Sequence, residues 1–128
     1  MESIANQTKS LKAILADKKD HRRVLLLYGR EDAQHYLIEQ QESLRQADQQ
    51  VAERDLDVIV LINSLVMEPD RQFLMGGDFK LNPADDFVGW LIGKDGTVKH
   101  RFSAPAAPDE LFKIIDSMPM RKQEAKKN

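Results

Sequence analysis

The side chains best placed to do chemistry lie in one loop, Tyr28-Gly29-Arg30-Glu31-Asp32, and at His35 just beyond it. The loop follows an apolar run and opens an amphipathic segment, so we expect it to join a strand to a helix. Amides at a helix N-terminus attract anions, and Arg30 can donate two parallel hydrogen bonds to a carboxylate or a phosphate. The loop is therefore a candidate binding site for a small anion.

The same loop has a simpler interpretation, as an ordinary turn between a strand and a helix. Asp32 would then be the N-cap of the helix, and Arg30 would lie in solvent, as charged turn residues usually do. His35 falls in the first helical turn, where an imidazole can act as a base or a ligand. The sequence places no nucleophile or second ligand beside it, so we predict no catalytic residue.

A second feature is an apolar cluster in a segment with little periodicity. Its members are Met67, Phe73, Leu74, Met75 and Phe79. Core filling is the ordinary role of such residues. Methionine and phenylalanine on an irregular segment also suit an adaptable surface that contacts another protein. We call the segment Met67–Phe79 the apolar lip, and we expect Met67, Phe73, Met75 and Phe79 to be its contact residues.

The composition excludes several chemistries. The chain contains no cysteine, which rules out disulfides, thiolate catalysis, cysteine-bound zinc and iron–sulfur clusters. It cannot be a thiol–disulfide oxidoreductase. The three histidines are widely spaced, and the neighbouring acids Asp85 and Asp86 are expected in solvent. We therefore predict no metal site and no cofactor.

Length and charge describe one domain, placed at 1–120, followed by a basic flexible tail at 121–128. The chain has 128 residues and a formal net charge of −2, so its overall charge favours no nucleic-acid partner. No apolar run approaches the roughly 18 residues that span a bilayer, and we predict no membrane association. Residues 1–10 contain no apolar export signal. The chain is expected in the cytoplasm as it stands, or in the periplasm or outside the cell if a leader was removed before Met1. Its oligomeric state stays open.

The elements on either side of the loop predict a strand–helix–strand unit. Val24–Tyr28 is a continuous apolar run, which is typical of a strand buried on both faces. Ala33–Arg54 carries apolar residues on one helical face. Val58–Ile62 is a second buried strand. Because the connections are short, the two strands should be parallel neighbours.

The remaining segments complete the predicted order. Thr8–Leu15 has helical spacing, and the irregular residues 63–86 hold one helical turn that begins at Pro69 and stops at Gly76-Gly77. Two short strands, near 87–92 and 98–102, flank Asp95-Gly96, a strong hairpin signal. The segment 108–118 is predicted as the last helix.

This order, α-β-α-β-(short α)-β-β-α, predicts an α/β domain with the thioredoxin-like arrangement. It is a three-layer sandwich, in which helices cover both faces of a central mixed sheet of about four strands. The long helix and the last helix should cover one face. The N-terminal helix and the irregular segment should cover the other.

Three stretches carry a resemblance to a known family. They are Arg23-Val-Leu-Leu-Leu-Tyr-Gly-Arg30, Leu91-Ile-Gly-Lys-Asp-Gly-Thr-Val-Lys99, and the ending from Leu111 to Glu124 with its Met118-Pro-Met-Arg-Lys-Gln-Glu124. Together they resemble the domain-of-unknown-function 4174 family, over about 10–124. The resemblance implies a thioredoxin-like or peroxiredoxin-like fold and no established activity. Members include small bacterial proteins and modules of animal extracellular proteins with sushi repeats.

Two functions remain open at this point. The first is a non-redox thioredoxin-like binding module, which contacts another protein through the Gly29–Asp32 loop and the apolar lip. The alternative is an enzyme that acts on a small anionic substrate at the same loop, using Arg30, Glu31 and His35. An enzyme should bind a small anion there, whereas a module should expose an apolar patch.

Overall fold

A mixed β-sheet lies at the centre of the protein in a computed structural model, which describes residues 2–3 and 9–126. Of residues 2, 3, 125 and 126 it describes the backbone alone. The strands of this part are β1 (Glu2–Ser3), β2 (Arg23–Gly29), β3 (Leu56–Ile62), β4 (Phe87–Ile92) and β5 (Val98–Phe102). Its α-helices are α1 (Leu11–Lys18), α2 (Gln34–Arg45), α3 (Asp48–Glu53), α4 (Asp70–Met75), α5 (Pro108–Asp116) and α6 (Pro119–Lys126).

The strands lie in the order β1-β3-β2-β4-β5, with β2 in the middle. Leu26 of β2 lies opposite Ile59 of the parallel strand β3 and opposite Trp90 of the antiparallel strand β4. The parallel pairing of β2 with β3 confirms the prediction. Every residue of β2 is buried, as expected of a continuous apolar run covered on both faces.

Alternate residues of the strands fill two separate cores. On one face, Leu26, Tyr28 and Trp90 pack with α1 and with the irregular residues 63–86, which we call the insert. On the other face, Leu25 and Leu27 pack with α2 and α5. Strand side chains alternate between the faces, so the two layers of helices follow from the sequence as predicted.

The β4–β5 hairpin turns at Asp95-Gly96, as the sequence predicts. Gly96 adopts φ 82°, in the left-handed region that glycine enters without strain. The Asp95 carboxylate accepts hydrogen bonds from Lys99 and from the backbone and hydroxyl of Thr97. These bonds, that from Lys99 above all, hold the pKa of Asp95 at about 2.

The N-terminal part differs in detail from the prediction. Helix α1 begins at Leu11 rather than near Thr8, because Ser10 caps it: its hydroxyl oxygen accepts a hydrogen bond from the Ala13 amide. Thr8 itself lies outside the described residues. The short strand β1 was not predicted, and it pairs in parallel with Ile59–Val60 of β3.

The prediction of one continuous helix over Ala33–Arg54 is wrong. The chain leaves the helix at Gln46 and Ala47, where Ala47 has φ −118° and ψ 33°, and α3 begins at the next residue. The break keeps Val51 packed against the core of that face. The apolar spacing passes through Ala47 and Val51 without interruption, so periodicity could not show the break.

The prediction of a flexible basic tail at 121–128 is also wrong for the part that the structure describes, because residues 119–126 form α6. Two residues tie α6 to the body of the protein. Arg121 donates to the Glu53 carbonyl oxygen and pairs with Asp116. Glu124 accepts from the buried Arg23. Residues 127–128 lie outside the described residues.

A close approach at Gly89 gives a test of the packing between β4 and β5. A Cβ built on Gly89 would overlap the ring of Phe102. We expect Gly89→Ala to lower the free energy of unfolding by about 2 kcal/mol, the cost of overpacking, as measured by urea denaturation. Gly76→Ala is the matched control, because its Cβ would lie 3.7 Å from the nearest atom. Equal stabilities of the two variants would contradict this packing.

Candidate functional site

The loop predicted as a site lies where the carboxyl ends of β2 and β3 meet. The parallel strands end together at Gly29 and Ile62. The insert begins immediately after β3 and returns to β4, so it covers this end of the sheet. Crevices of this kind bind ligands in many α/β proteins. The side chains that line this crevice decide whether it can bind a ligand.

Tyr28 points into the insert rather than towards solvent. Its hydroxyl lies 2.6 Å from Oδ1 of Asn63 and 3.0 Å from the carbonyl oxygen of Pro83, and it can donate its one proton to either. Arg71 donates to the same Asn63 oxygen and to the carbonyl oxygens of Asn63 and Val66. Burial raises the pKa of the Tyr28 phenol, so Tyr28 acts here as a neutral hydrogen-bond donor.

Arg30 is engaged with the protein itself. Its Nη1 lies 3.5 Å from the Pro83 carbonyl oxygen, and its Nε lies 3.6 Å from Asp32. The backbone amide of Arg30 donates to the carbonyl oxygen of Asp86. The guanidinium is therefore held beside the insert, with one carboxylate already next to it.

The start of the helix is arranged differently from the prediction. A 3-10 turn, Glu31–Ala33, precedes α2, and the residue at the N-cap position of α2 is Ala33, with no side-chain cap. Asp32 lies inside that turn and its side chain is 77% exposed, so the prediction that Asp32 caps the helix is wrong. The Asp32 carboxylate instead lies 3.6 Å from Nε of Arg30.

The Glu31 carboxylate accepts hydrogen bonds at the start of the turn. The hydrogen bond from its own backbone amide, followed by that from the Ser64 side chain, holds the pKa of the Glu31 carboxyl below its ordinary value. This carboxylate therefore already accepts from the first amide of the turn. An incoming anion would have to displace it and would be repelled by it.

The other predicted residues are not brought to the loop. His35 is exposed on α2, and its ring lies 4.1 Å from the ring of Tyr36. Phe73 and Phe79 pack together and against Trp90 in the core on the α1 face. Their role is core filling, the simpler of the two interpretations that the sequence allows.

The two methionines of the apolar lip are exposed to solvent, whereas its two phenylalanines pack against the core. Met67 is 75% exposed and Met75 is 49% exposed. Leu65, which the sequence analysis did not select, is 48% exposed. We call these three residues the exposed patch, since all three belong to the insert.

Neither a cluster of metal-ligating side chains nor a membrane-spanning helix occurs among the described residues. Within residues 2–3 and 9–126, no group of three or more histidine, aspartate or glutamate side chains is placed to hold a metal ion. In the same part of the chain, no helix has the length and apolar character that crossing a bilayer requires.

A second polar cluster, not predicted from the sequence, lies at the opposite end of the sheet. Arg23 begins β2, and its side chain has no solvent exposure. Its two terminal nitrogens donate to the carboxylate of Glu124, at 3.1 and 3.2 Å, and to the carbonyl oxygen of Arg54, at 2.8 Å. Lys94, also buried, donates to Glu124 at 2.7 Å and to Asp55 at 2.8 Å.

One signal in the sequence pointed to this cluster. Arg23, Lys94 and Glu124 belong to the three separate stretches that carry the family resemblance. Arg23 directly precedes an apolar run in the sequence, so its charged side chain is close to the core. A charged side chain that is fully buried needs a partner. The sequence could not name Glu124 as that partner, because the two residues are 101 positions apart.

Comparisons with known proteins agree with the fold. A family model described as domain of unknown function DUF4174 matches residues 14–124. A solved structure, the reduced 2-Cys peroxiredoxin of Plasmodium vivax, is similar with a TM-score of 0.61 and 16% identity, over 85% of this chain and 72% of that chain. At this identity the similarity shows the thioredoxin-like fold alone. Among curated proteins, none matches the sequence significantly.

The Glu31 carboxylate gives the first test of the loop. We expect inorganic phosphate, up to about 50 mM, to leave the amide NMR signals of Gly29–Asp32 unchanged in the wild type, because Glu31 occupies the first amide. In Glu31→Ala, the same titration should move these signals with millimolar affinity. Asp32→Ala is the matched control and should behave as the wild type. Wild-type shifts that Arg30→Ala abolishes would restore the loop as an anion site.

The Arg23–Glu124 pair predicts a pH dependence of stability. Partial burial alone would raise the pKa of Glu124, but hydrogen bonds from Arg23 and Lys94 outweigh burial and lower it below the ordinary 4.5. A carboxyl whose pKa is lower in the folded state than in the unfolded state stabilises the fold at pH values above its unfolded-state pKa. This stabilisation is lost as the pH falls through the folded-state pKa. Glu124→Gln should therefore cost about 2 kcal/mol of unfolding free energy near neutral pH, and the difference from wild type should shrink below pH 4.5.

Urea denaturation at a series of pH values measures this difference. Glu53→Gln is the control, because the Glu53 side chain is half-exposed and lies 4.0 Å from Arg54, so it should cost less than about 0.5 kcal/mol. The contrary outcome is a difference in unfolding free energy between wild type and Glu124→Gln that stays constant from about pH 7 to about pH 3. That result would show that Glu124 does not act through its charge.

Proposed function

Because the chain belongs to the DUF4174 family, whose description assigns no activity, we propose its function from its own surface: it is a thioredoxin-like module without thiol chemistry that binds another protein. The binding surface in this proposal is the exposed patch on the insert. The absence of cysteine from the sequence removes the thiol chemistry, and the remaining question is what the fold presents in its place.

The exposed patch is the observation that carries the proposal. Leu65, Met67 and Met75 belong to one short segment, and each has about half or more of its surface in solvent. Exposed apolar side chains that lie this close together in the sequence can form part of a contact surface. Methionine suits such a surface because its unbranched, polarisable side chain adapts to different partners.

The charge of the insert suggests what kind of partner fits. Five acidic and two basic residues lie between 63 and 86. One of the two basic residues, Arg71, is committed to oxygens of Asn63 and Val66. We therefore propose that the partner presents apolar side chains flanked by lysine or arginine, since complementary charge around an apolar centre guides association.

The alternative, an enzyme acting on a small anion at Gly29–Asp32, has less support. Glu31 already accepts from the amide of the turn, and Arg30 is held beside Asp32 and Pro83. His35 lies on α2 with its ring against Tyr36. No observation in this loop favours catalysis over a structural turn.

Peptide selection tests the proposal without knowledge of the natural partner. A displayed library of random peptides is selected on the wild type and counter-selected on the double variant Met67→Lys/Met75→Lys. We expect enriched peptides with apolar residues flanked by lysine or arginine. They should bind the wild type at least tenfold more tightly than the double variant, because the added ammonium groups interrupt the apolar surface and repel the basic residues of the peptide.

Ile38→Lys is the matched control, because Ile38 is an exposed apolar residue on α2. The selected peptides should bind it as they bind the wild type. Peptides that bind all three proteins equally, or a selection that enriches nothing, would show that the exposed patch is not a binding surface.

A further inference from the structure

All the sulfur in this chain is in methionine. The sequence contains five methionines and no cysteine, and the structure describes the side chains of four of these methionines. Oxidants convert a methionine thioether to a sulfoxide, and methionine sulfoxide reductases reverse the change. Because the oxidant must reach the sulfur, the positions of these side chains decide what an oxidant changes first.

The two most exposed of the four methionines belong to the insert. Met67 is 75% exposed and Met75 is 49% exposed, whereas Met120 on α6 is 39% exposed and Met118 is 8% exposed. Met118 packs in the core on the α2 face. An oxidant should therefore reach Met67 first and Met118 last.

The backbone that carries both methionines of the insert is held by contacts without sulfur. The carbonyl oxygen of Met67 accepts from the amide of Arg71 at 3.2 Å, and that of Val66 accepts from the Arg71 guanidinium at 2.9 Å. Met75 ends α4 directly after Leu74, which is fully buried. Oxidation of Met67 or Met75 therefore alters an exposed side chain and leaves the fold of the insert intact.

Oxidation would change the chemistry of the exposed patch. A methionine sulfoxide is polar, and its formation disrupts interfaces that depend on methionine. A partner that covers the patch would have to remove the sulfoxide oxygen from water. A buried polar group without a hydrogen-bond partner is costly, so the oxidised patch should bind an apolar partner more weakly.

We propose that Met67, followed by Met75, is a site of reversible oxidation that controls binding at the exposed patch. This inference rests on the protein-binding function proposed above, and the oxidant is a hydroperoxide. The thioether sulfur attacks one oxygen of hydrogen peroxide, the O–O bond breaks and an S–O bond forms. The sulfur is oxidised, and the other oxygen leaves as water after taking up the proton of the transferred oxygen. In the reverse step a dithiol is oxidised to a disulfide, and the sulfoxide oxygen leaves as water.

Mass spectrometry of the full chain after treatment with hydrogen peroxide tests the site. Sulfoxide should form at Met67 first and at Met118 last. Urea denaturation should give the chain oxidised at Met67 and Met75 the same free energy of unfolding as the untreated chain. Faster oxidation of Met118 or Met120 than of Met67 would overturn the proposal.

The affinity for the selected peptides tests the consequence, with the peroxide removed before the peptide is added. Oxidation of the wild type should weaken binding roughly tenfold or more, and methionine sulfoxide reductase with a dithiol should restore it. The double variant Met67→Leu/Met75→Leu should have the same affinity before and after peroxide, because leucine has no sulfur. Met120→Leu is the matched control and should respond to peroxide as the wild type does, because Met120 lies on α6.

The outcomes separate this inference from the function on which it rests. If the untreated wild type binds no selected peptide, the proposed function fails, and the inference fails with it. If the untreated protein binds and full conversion of Met67 and Met75 to sulfoxide leaves the affinity unchanged, the inference alone is overturned. It is also overturned if peroxide weakens binding by the double leucine variant as much as binding by the wild type.

Discussion

The buried guanidinium of Arg23 is the constraint on which one whole end of the structure depends. Removing a charged group from water costs several kcal/mol, and only close partners offset that cost. Here the partners come from distant parts of the chain: Glu124 from the last helix and the Arg54 carbonyl oxygen from the turn before β3. Lys94, after β4, shares Glu124 with it. Because leaving Arg23 unpaired is so unfavourable, the ion cluster fixes where α6 lies against the sheet.

The opposite end shows how a thioredoxin-like fold is completed without thiols. The central strand ends at Gly29, and the space beside it is closed by hydrogen bonds from Tyr28 and Arg71 to Asn63. Burial keeps the Tyr28 phenol neutral by raising its pKa, so this network stabilises the insert rather than activating a group. The same position in the fold can therefore serve different purposes, since function follows from the side chains placed there.

Periodicity predicted the layers, because apolar runs and alternation follow directly from burial on one or both faces. Together with the short connections it also predicted the parallel pairing of β2 with β3. The hairpin followed from Asp95-Gly96. What the sequence could not show were features without a local signal. The break at Ala47 keeps the apolar spacing, and the role of Glu124 depends on a partner 101 residues away. The sequence correctly placed the candidate loop between a strand and a helix. It could not show the local hydrogen bonds of the loop, in which the carboxylate of Glu31, rather than that of Asp32, accepts from a backbone amide.

The two ends of the sheet differ in what they leave unsatisfied. At the carboxyl end, Tyr28 and Arg71 are paired within the insert, and the apolar side chains of Met67 and Met75 lie in solvent. At the amino end, apolar side chains are mostly covered, and what remains is a polar donor, Nε of Arg23. The seven residues of β2 separate these ends by about 20 Å, more than twice the roughly 8 Å over which salt screens charge at physiological ionic strength. Charge at one end therefore has little direct effect on the other, and any coupling between them would have to pass through the packing of the sheet itself.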